Sequence, residues 1–280
     1  MIQKLFNIDR RIIFAFMFLS VLLPFLVKFD LPIEADKNVR TVYNKIEEIS
    51  KKDSGGIILM SFDYDNSTKA ELEPAARAIL SHAFLKNVKV IGMSNWPNGV
   101  TMAKTIMEDI AKEYDKKNGV DWAYLGYKSG AGLLMLNLSM DFHGAFPTDT
   151  RGEKIDQIPL TKNIRTIKDI DYVMSLSAGS GGIEEWIIYS QSKYNYAFAG
   201  VCTAVSAPDY FPFLQSGQMH GLIGGLAGAA QYETLINKPG TAIDGMRPQS
   251  VAHLVLIFFI VFGNVCYFVN KNFDKKKERA

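Results

Sequence analysis

Cysteine is nearly absent: Cys202 and Cys266 are the only two in 280 residues, and Cys266 falls inside a long apolar run. A disulfide within the polar body of the chain and a Cys-rich zinc site are therefore excluded. The four histidines, His82, His143, His220 and His253, show no metal-ligand spacing, so no metal is expected. An excess of one charge is lacking too. The 31 Lys and Arg against 29 Asp and Glu leave a net +2, which excludes a strongly basic nucleic-acid binder. No GxGxxG occurs. The run Gly126-Tyr127-Lys128-Ser129-Gly130-Ala131-Gly132 lacks the Lys that a Walker loop places directly after its second glycine, and reads as a strand-to-helix turn.

What is present in quantity is apolar sequence, 48% of the chain. Residues 12–27 (IIFAFMFLSVLLPFLV) carry no charge and are followed by Lys28, whose stem can snorkel and lengthen the segment toward the ~20 residues a bilayer needs. No small-x-small site follows, so an uncleaved anchor over residues 12–28 is expected rather than a signal peptide. Residues 251–269 (VAHLVLIFFIVFGNVCYFV) form a second, stronger segment in which Asn264 lies deep and favours a partner helix that bonds its amide. Lys4, Arg10 and Arg11 precede the first segment, and Lys271, Lys275, Lys276, Lys277 and Arg279 follow the second. Basic flanks stay cytoplasmic, so tails 1–11 and 270–280 are expected inside the cell and the intervening domain outside it. Residues 29–250 hold 22 Lys and Arg against 26 Asp and Glu, a mildly acidic body that again disfavours nucleic acid.

Within that body, Val39, Val42, Tyr43, Ile46 and Ile49 recur at helical spacing, predicting an amphipathic linker helix within residues 29–54, ended by Ser54, Gly55 and Gly56. Over residues 55–248, strand-like and helix-like runs then alternate. Strands are expected at 56–62, 88–94, 122–126, 172–177 and 198–205. Helices are expected at 69–85, where Thr68 and Glu71 suggest a capping box, and at 101–114, 131–140 and 183–192. This predicts one α/β domain, Rossmann-like, with a mainly parallel sheet flanked by helices and one transmembrane helix at each end of the chain. A loop of about twenty residues between Phe146 and Lys168 interrupts the pattern.

Open α/β sheets collect ligands at the carboxyl ends of their strands. The residues there include Asp63, Asp65 and Asn66, then Ser94 and Asn95, then Lys128, Ser129 and Gly130, then Ser180 and Gly181, and finally Asp209. Gly, Asn, Asp and Ser also dominate ordinary turns. Asp63-Tyr64-Asp65-Asn66-Ser67, followed one helix later by VKVIGMS ending at Ser94, resembles the first two motifs of the haloacid dehalogenase superfamily. The resemblance covers about 35 residues and implies Asp63 as nucleophile, Asp65 as acid/base, Ser94 as phosphate-orienting group and a magnesium ion offsetting the charge. Lys128 is available for that family's lysine. Gly179 to Gly182 stand where its later acidic pair belongs, and Glu184 and Glu185 fall inside the next helix.

Gly217, Gly221 and Gly225 fall four apart, with Gly224 and Gly228 in a neighbouring row. In one helix so many glycines cost ~1 kcal/mol each, so close backbone approach is expected, inside the domain or against another subunit. Tyr210, Phe211 and Phe213, between prolines, are candidates for a contact surface. These readings converge on a non-catalytic structural or ligand-sensing subunit of a membrane complex, with the bilayer and a second copy or other membrane subunits as partners. The alternatives are a tethered metal-dependent hydrolase using Asp63 and Asp65, and a solute-binding domain serving a transporter.

Overall fold

The apolar runs form strands that are buried on both faces, which is why they read as continuous rather than alternating sequence. The computed structural model describes residues 9–27, 29, 31–53 and 55–277; Lys4, Lys28, Ser54 and Arg279 lie outside them. Two units result: Ile33–Ile243, and Met1–Pro32 with Asp244–Ala280.

The chain runs through α1 (Arg10–Leu26), α2 (Lys37–Ile49), β1 (Ile57–Asp63), α3 (Lys69–Leu85), β2 (Lys89–Ser94), α4 (Gly99–Glu113) and β3 (Trp122–Tyr127). Next come α5 (Ala131–Met140), α6 (Phe142–Ala145), β4 (Tyr172–Ser177), α7 (Ile183–Trp186), a π stretch (Ile187–Gln191), α8 (Ser192–Tyr194) and β5 (Phe198–Cys202). The last elements are α9 (Phe211–Gln215), β6 (Gly221–Gly224), α10 (Gly225–Leu235) and α11 (Thr241–Lys277). The six strands order as β3-β2-β1-β4-β5-β6, and every neighbouring pair is parallel. This is the doubly wound order in which winding reverses between the first and fourth strands, leaving a crevice at their carboxyl ends.

Leu59, Ile91, Val173, Trp186 and Phe198 anchor the buried core. The π stretch has a local cause. Its wider turn brings Ser190 inward, and a hydroxyl chain runs from Tyr196 to Ser190 (2.6 Å), to Ser139 (2.5 Å) and on to the Met135 carbonyl (2.6 Å).

Three expectations change. The glycine run is not one helix: Gly217 sits in a turn with φ +77°, Gly221 and Gly224 belong to edge strand β6, and Gly225 and Gly228 to α10. Helix α2 does more than link, since it buries Val39, Val42, Ile46 and Ile49 and packs on β6. The capping box does not form. Thr68 makes no cap bond, its hydroxyl reaching the Asp65 carbonyl at 3.4 Å, and Glu71 accepts the Ala204 N–H beyond β5 at 2.9 Å.

In the other unit, one helix among the described residues is long and apolar enough to cross a membrane, over Thr241–Val269. The span expected at each end is thus met at the C-terminal end. Helix α1 has 17 residues and rises about 25 Å, short of the ~30 Å apolar core of a bilayer. Its large side chains are nonetheless exposed, Phe14 at 68% and Phe18 at 65%, and Phe16 meets Phe259 edge to face with centroids 6.1 Å apart. Asn264 donates through Nδ2 to the Ile260 carbonyl of its own helix at 2.8 Å.

Candidate functional site

Asp63 ends β1 at the crevice, fully buried. The Ser61 hydroxyl donates to its Oδ2 at 2.5 Å and the Asn95 N–H to its Oδ1 at 2.6 Å. Burial pushes the carboxyl up to about 7, against the opposing bonds from Ser61 and from the Asn95 and Trp96 backbones, and the Glu185 charge pushes the same way as burial.

Asn95 ties the surrounding loops together. Its Nδ2 donates to the Gly181 carbonyl at 2.8 Å, and its Oδ1 accepts the Ala131 N–H at 3.1 Å. Trp96 adds an indole N–H to the Ser180 carbonyl at 3.0 Å, and its ring lies so close to Gly179 and Gly181 that a Cβ on either would stand 3.5 or 3.4 Å from it. Gly181 also has φ +84°, which a side chain would strain. The carboxyl ends of β1 to β4 are therefore joined by one residue pair, and the crevice is filled by the protein's own indole.

The other sequence candidates disperse. Ser94 donates to the Phe62 carbonyl inside the sheet. Asp65 is partly buried and held below the usual carboxylate range by the Ser67 hydroxyl and N–H, both of which donate to Oδ1. Lys128 turns away from Asp63 to bond the Ala145 carbonyl, with its ammonium 5.7 Å from the Phe146 ring centroid. Ser129 and Gly130 are exposed at the start of α5, Gly130 with φ +135°. Asp209 lies in the helical turn Ala207–Tyr210 after β5. Tyr210 is buried, Phe213 packs on the core, and Phe211 is 45% exposed. Of the glycines, a Cβ on Gly221 would strike Val42 and the Asn38 carbonyl, on Gly225 it would strike Ala204, and on Gly228 it would crowd Ile223, all internal neighbours. Among the described residues no three His, Cys, Asp or Glu side chains gather as metal ligands.

An open groove of about 680 Å³ lies beside the closed crevice, between the first turns of α3 and α4. Asp65, Asn66 and Asn98 stand at its loop end, with Lys69, Glu73 and Arg77 along α3 and Thr101 and Thr105 along α4. Asn66 is its one residue among the ligand candidates picked out from sequence, and Asp65 enters as a groove wall rather than as a partner of Asp63. The helical residues escaped notice because spacing by four is also the pattern of an ordinary solvated face.

No family model, no curated protein and no solved structure matches this chain. Fold and site together define a doubly wound parallel α/β protein with a self-filled switch point and an adjacent polar groove.

Proposed function

We propose that the chain is a membrane-anchored, non-catalytic ligand-sensing subunit of a membrane complex. The observation that carries this reading is Asp63: a nucleophile must reach substrate, whereas both oxygens of this carboxylate are engaged within the fold and none of it is exposed. The engagement of Lys128 with Ala145 supports the same reading over the hydrolase.

Anchoring is by two passes in this proposal, α11 and the shorter α1, which spans by snorkelling and local bilayer thinning. The exposed Phe14, Phe18 and Phe25 of α1 suit lipid contact. With Arg10, Arg11 and the basic C-terminal flank in the cytoplasm, the α/β unit stands outside the cell membrane. Partners are the bilayer and further membrane-protein subunits, a second copy among them.

Two measurements test this. Asp63→Asn retains the cellular phenotype and the native particle mass of the complex; loss of phenotype with normal abundance and mass returns the hydrolase. In intact cells, a cysteine at exposed Ser129 is labelled by an impermeant maleimide, and failure to label it before lysis overturns the topology.

A further inference from the structure

The α3 wall of the groove places Asp65, Lys69, Glu73 and Arg77 at intervals of four, alternating in sign and summing to zero. Lys69, Glu73 and Arg77 pair with one another, and Asp65 accepts from Ser67. Lys69 lies 3.3 Å from Glu73 Oε2, Arg77 Nε bonds Glu73 Oε1 at 2.8 Å, and Arg77 Nη2 reaches Asp109 at 3.4 Å. An ionic ligand would have to break these pairs and surrender its own hydration, whereas a neutral ligand leaves them intact.

The uncommitted groups are neutral. Among the described residues, the Asn66 and Asn98 amides and the Thr101 and Thr105 hydroxyls make no side-chain hydrogen bond. Each both donates and accepts, which is what a sugar hydroxyl requires of its partner. Met102 of α4, partly exposed, gives the groove an apolar patch for the C–H face of a ring, with buried Ile106 behind it. The buried Tyr64 hydroxyl, beside the Glu73 and Arg77 charges, is unpartnered. The volume lies within the ~300–1,000 Å³ of ordinary ligand sites.

We infer that this groove binds a neutral saccharide, with Asn98, Thr101 and Thr105 holding its hydroxyls and Met102 its apolar face. The inference deepens the ligand-sensing reading and rests on it.

The full chain, in a detergent without a sugar headgroup, is applied to an array of neutral gluco-, galacto- and manno-oligosaccharides beside uronate, sulfated and sialylated ones. The best neutral trisaccharide is then titrated calorimetrically. Binding is expected for neutral saccharides alone, with Kd raised at least tenfold by Thr101→Val with Thr105→Val and by Asn98→Ala, while melting temperatures stay at the wild-type value. Ser216→Ala, outside the groove, leaves Kd unchanged. An array blank at millimolar saccharide, binding of acidic saccharides alone, or a Kd indifferent to the groove variants overturns the inference. If the array is blank while Asp63→Asn retains the phenotype, the saccharide falls and the non-catalytic subunit stands. Cleavage of an array saccharide, lost in Asp63→Asn, overturns the non-catalytic reading itself.

Discussion

The Asn95 backbone N–H donates to the Asp63 carboxylate at 2.6 Å across two neighbouring parallel strand ends, and the Asn95 side chain then secures the loops after β3 and β4. Asp63 thus acts through Asn95 on the carboxyl ends of β1 to β4. Its carboxyl titrates at about 7 in the folded chain against an ordinary 3.8, so the folded state holds the extra proton and stability declines as pH rises from about 4 to 7. Asp63→Asn keeps an acceptor for Asn95 and offers Ser61 a donor without a charge to bury. The variant should be more stable than wild type at pH 8 by up to a few kcal/mol and equal to it near pH 4, as read from denaturant midpoints in detergent. A midpoint lowered at pH 8 would mean that the carboxylate is favoured in place.

Gly182 opens the helix after β4 under close constraint: a Cβ there would lie 1.8 Å from Ser177 Oγ. Gly182→Ala should cost about 1–3 kcal/mol. Because the obstruction is a single side chain, adding Ser177→Gly should restore part of the loss in a double-mutant cycle. Additive losses would place the strain in the backbone instead.

The five apolar strands and the helices between them were legible because burial on both faces writes continuous runs, and their bounds fall within about three residues of those expected. Strand β6 was not, because Gly-Leu-Ile-Gly inside a glycine-rich stretch mimics helical spacing and an edge strand of four residues carries little apolar signal. Asp63 was legible as a strand-end acid; its fate was not, since the partner that fixes it stands 32 residues away and bonds through its backbone. Glu71 shows the same limit: its spacing from Thr68 is that of a cap, and the distant Ala204 N–H takes it.

His82 is 1% exposed, stacks on Tyr43 of α2 at 4.5 Å and meets Glu47 of α2 at 3.1 Å and Tyr232 of α10 at 2.8 Å, with Lys86 nearby at the end of α3. Burial dominates and lowers its pKa, and the Lys86 charge lowers it further against the pull of Glu47. Burial would raise Glu47, but its bonds with Lys86, His82 and Tyr43 outweigh that and bring it to about 2. A lowered histidine contributes stability above pH 6.5 that is lost as pH falls through the folded value; Glu47 adds a second loss from about 4.5 down to 2. This slope opposes that of Asp63 over an overlapping window, so the variants separate them: His82→Phe should remove its share of the loss below pH 6.5 and leave the decline with rising pH from about 4 to 7 that Asp63 sets. An unchanged slope below 6.5 assigns the acid sensitivity to another group.

Gly221 is a point of close approach between α2 and the face of β6, since a Cβ there would lie 2.6 Å from Val42 Cγ2 and 2.8 Å from the Asn38 carbonyl oxygen. Val42 can turn, but the Asn38 carbonyl is backbone within a helix, so relief requires α2 as a whole to retreat from β6. Gly221→Ala should therefore cost about 1–3 kcal/mol and loosen α2 from β6. Limited proteolysis should cut first within residues 37–49. Destabilisation without that change would show that α2 stays in place and the strain is absorbed within β6.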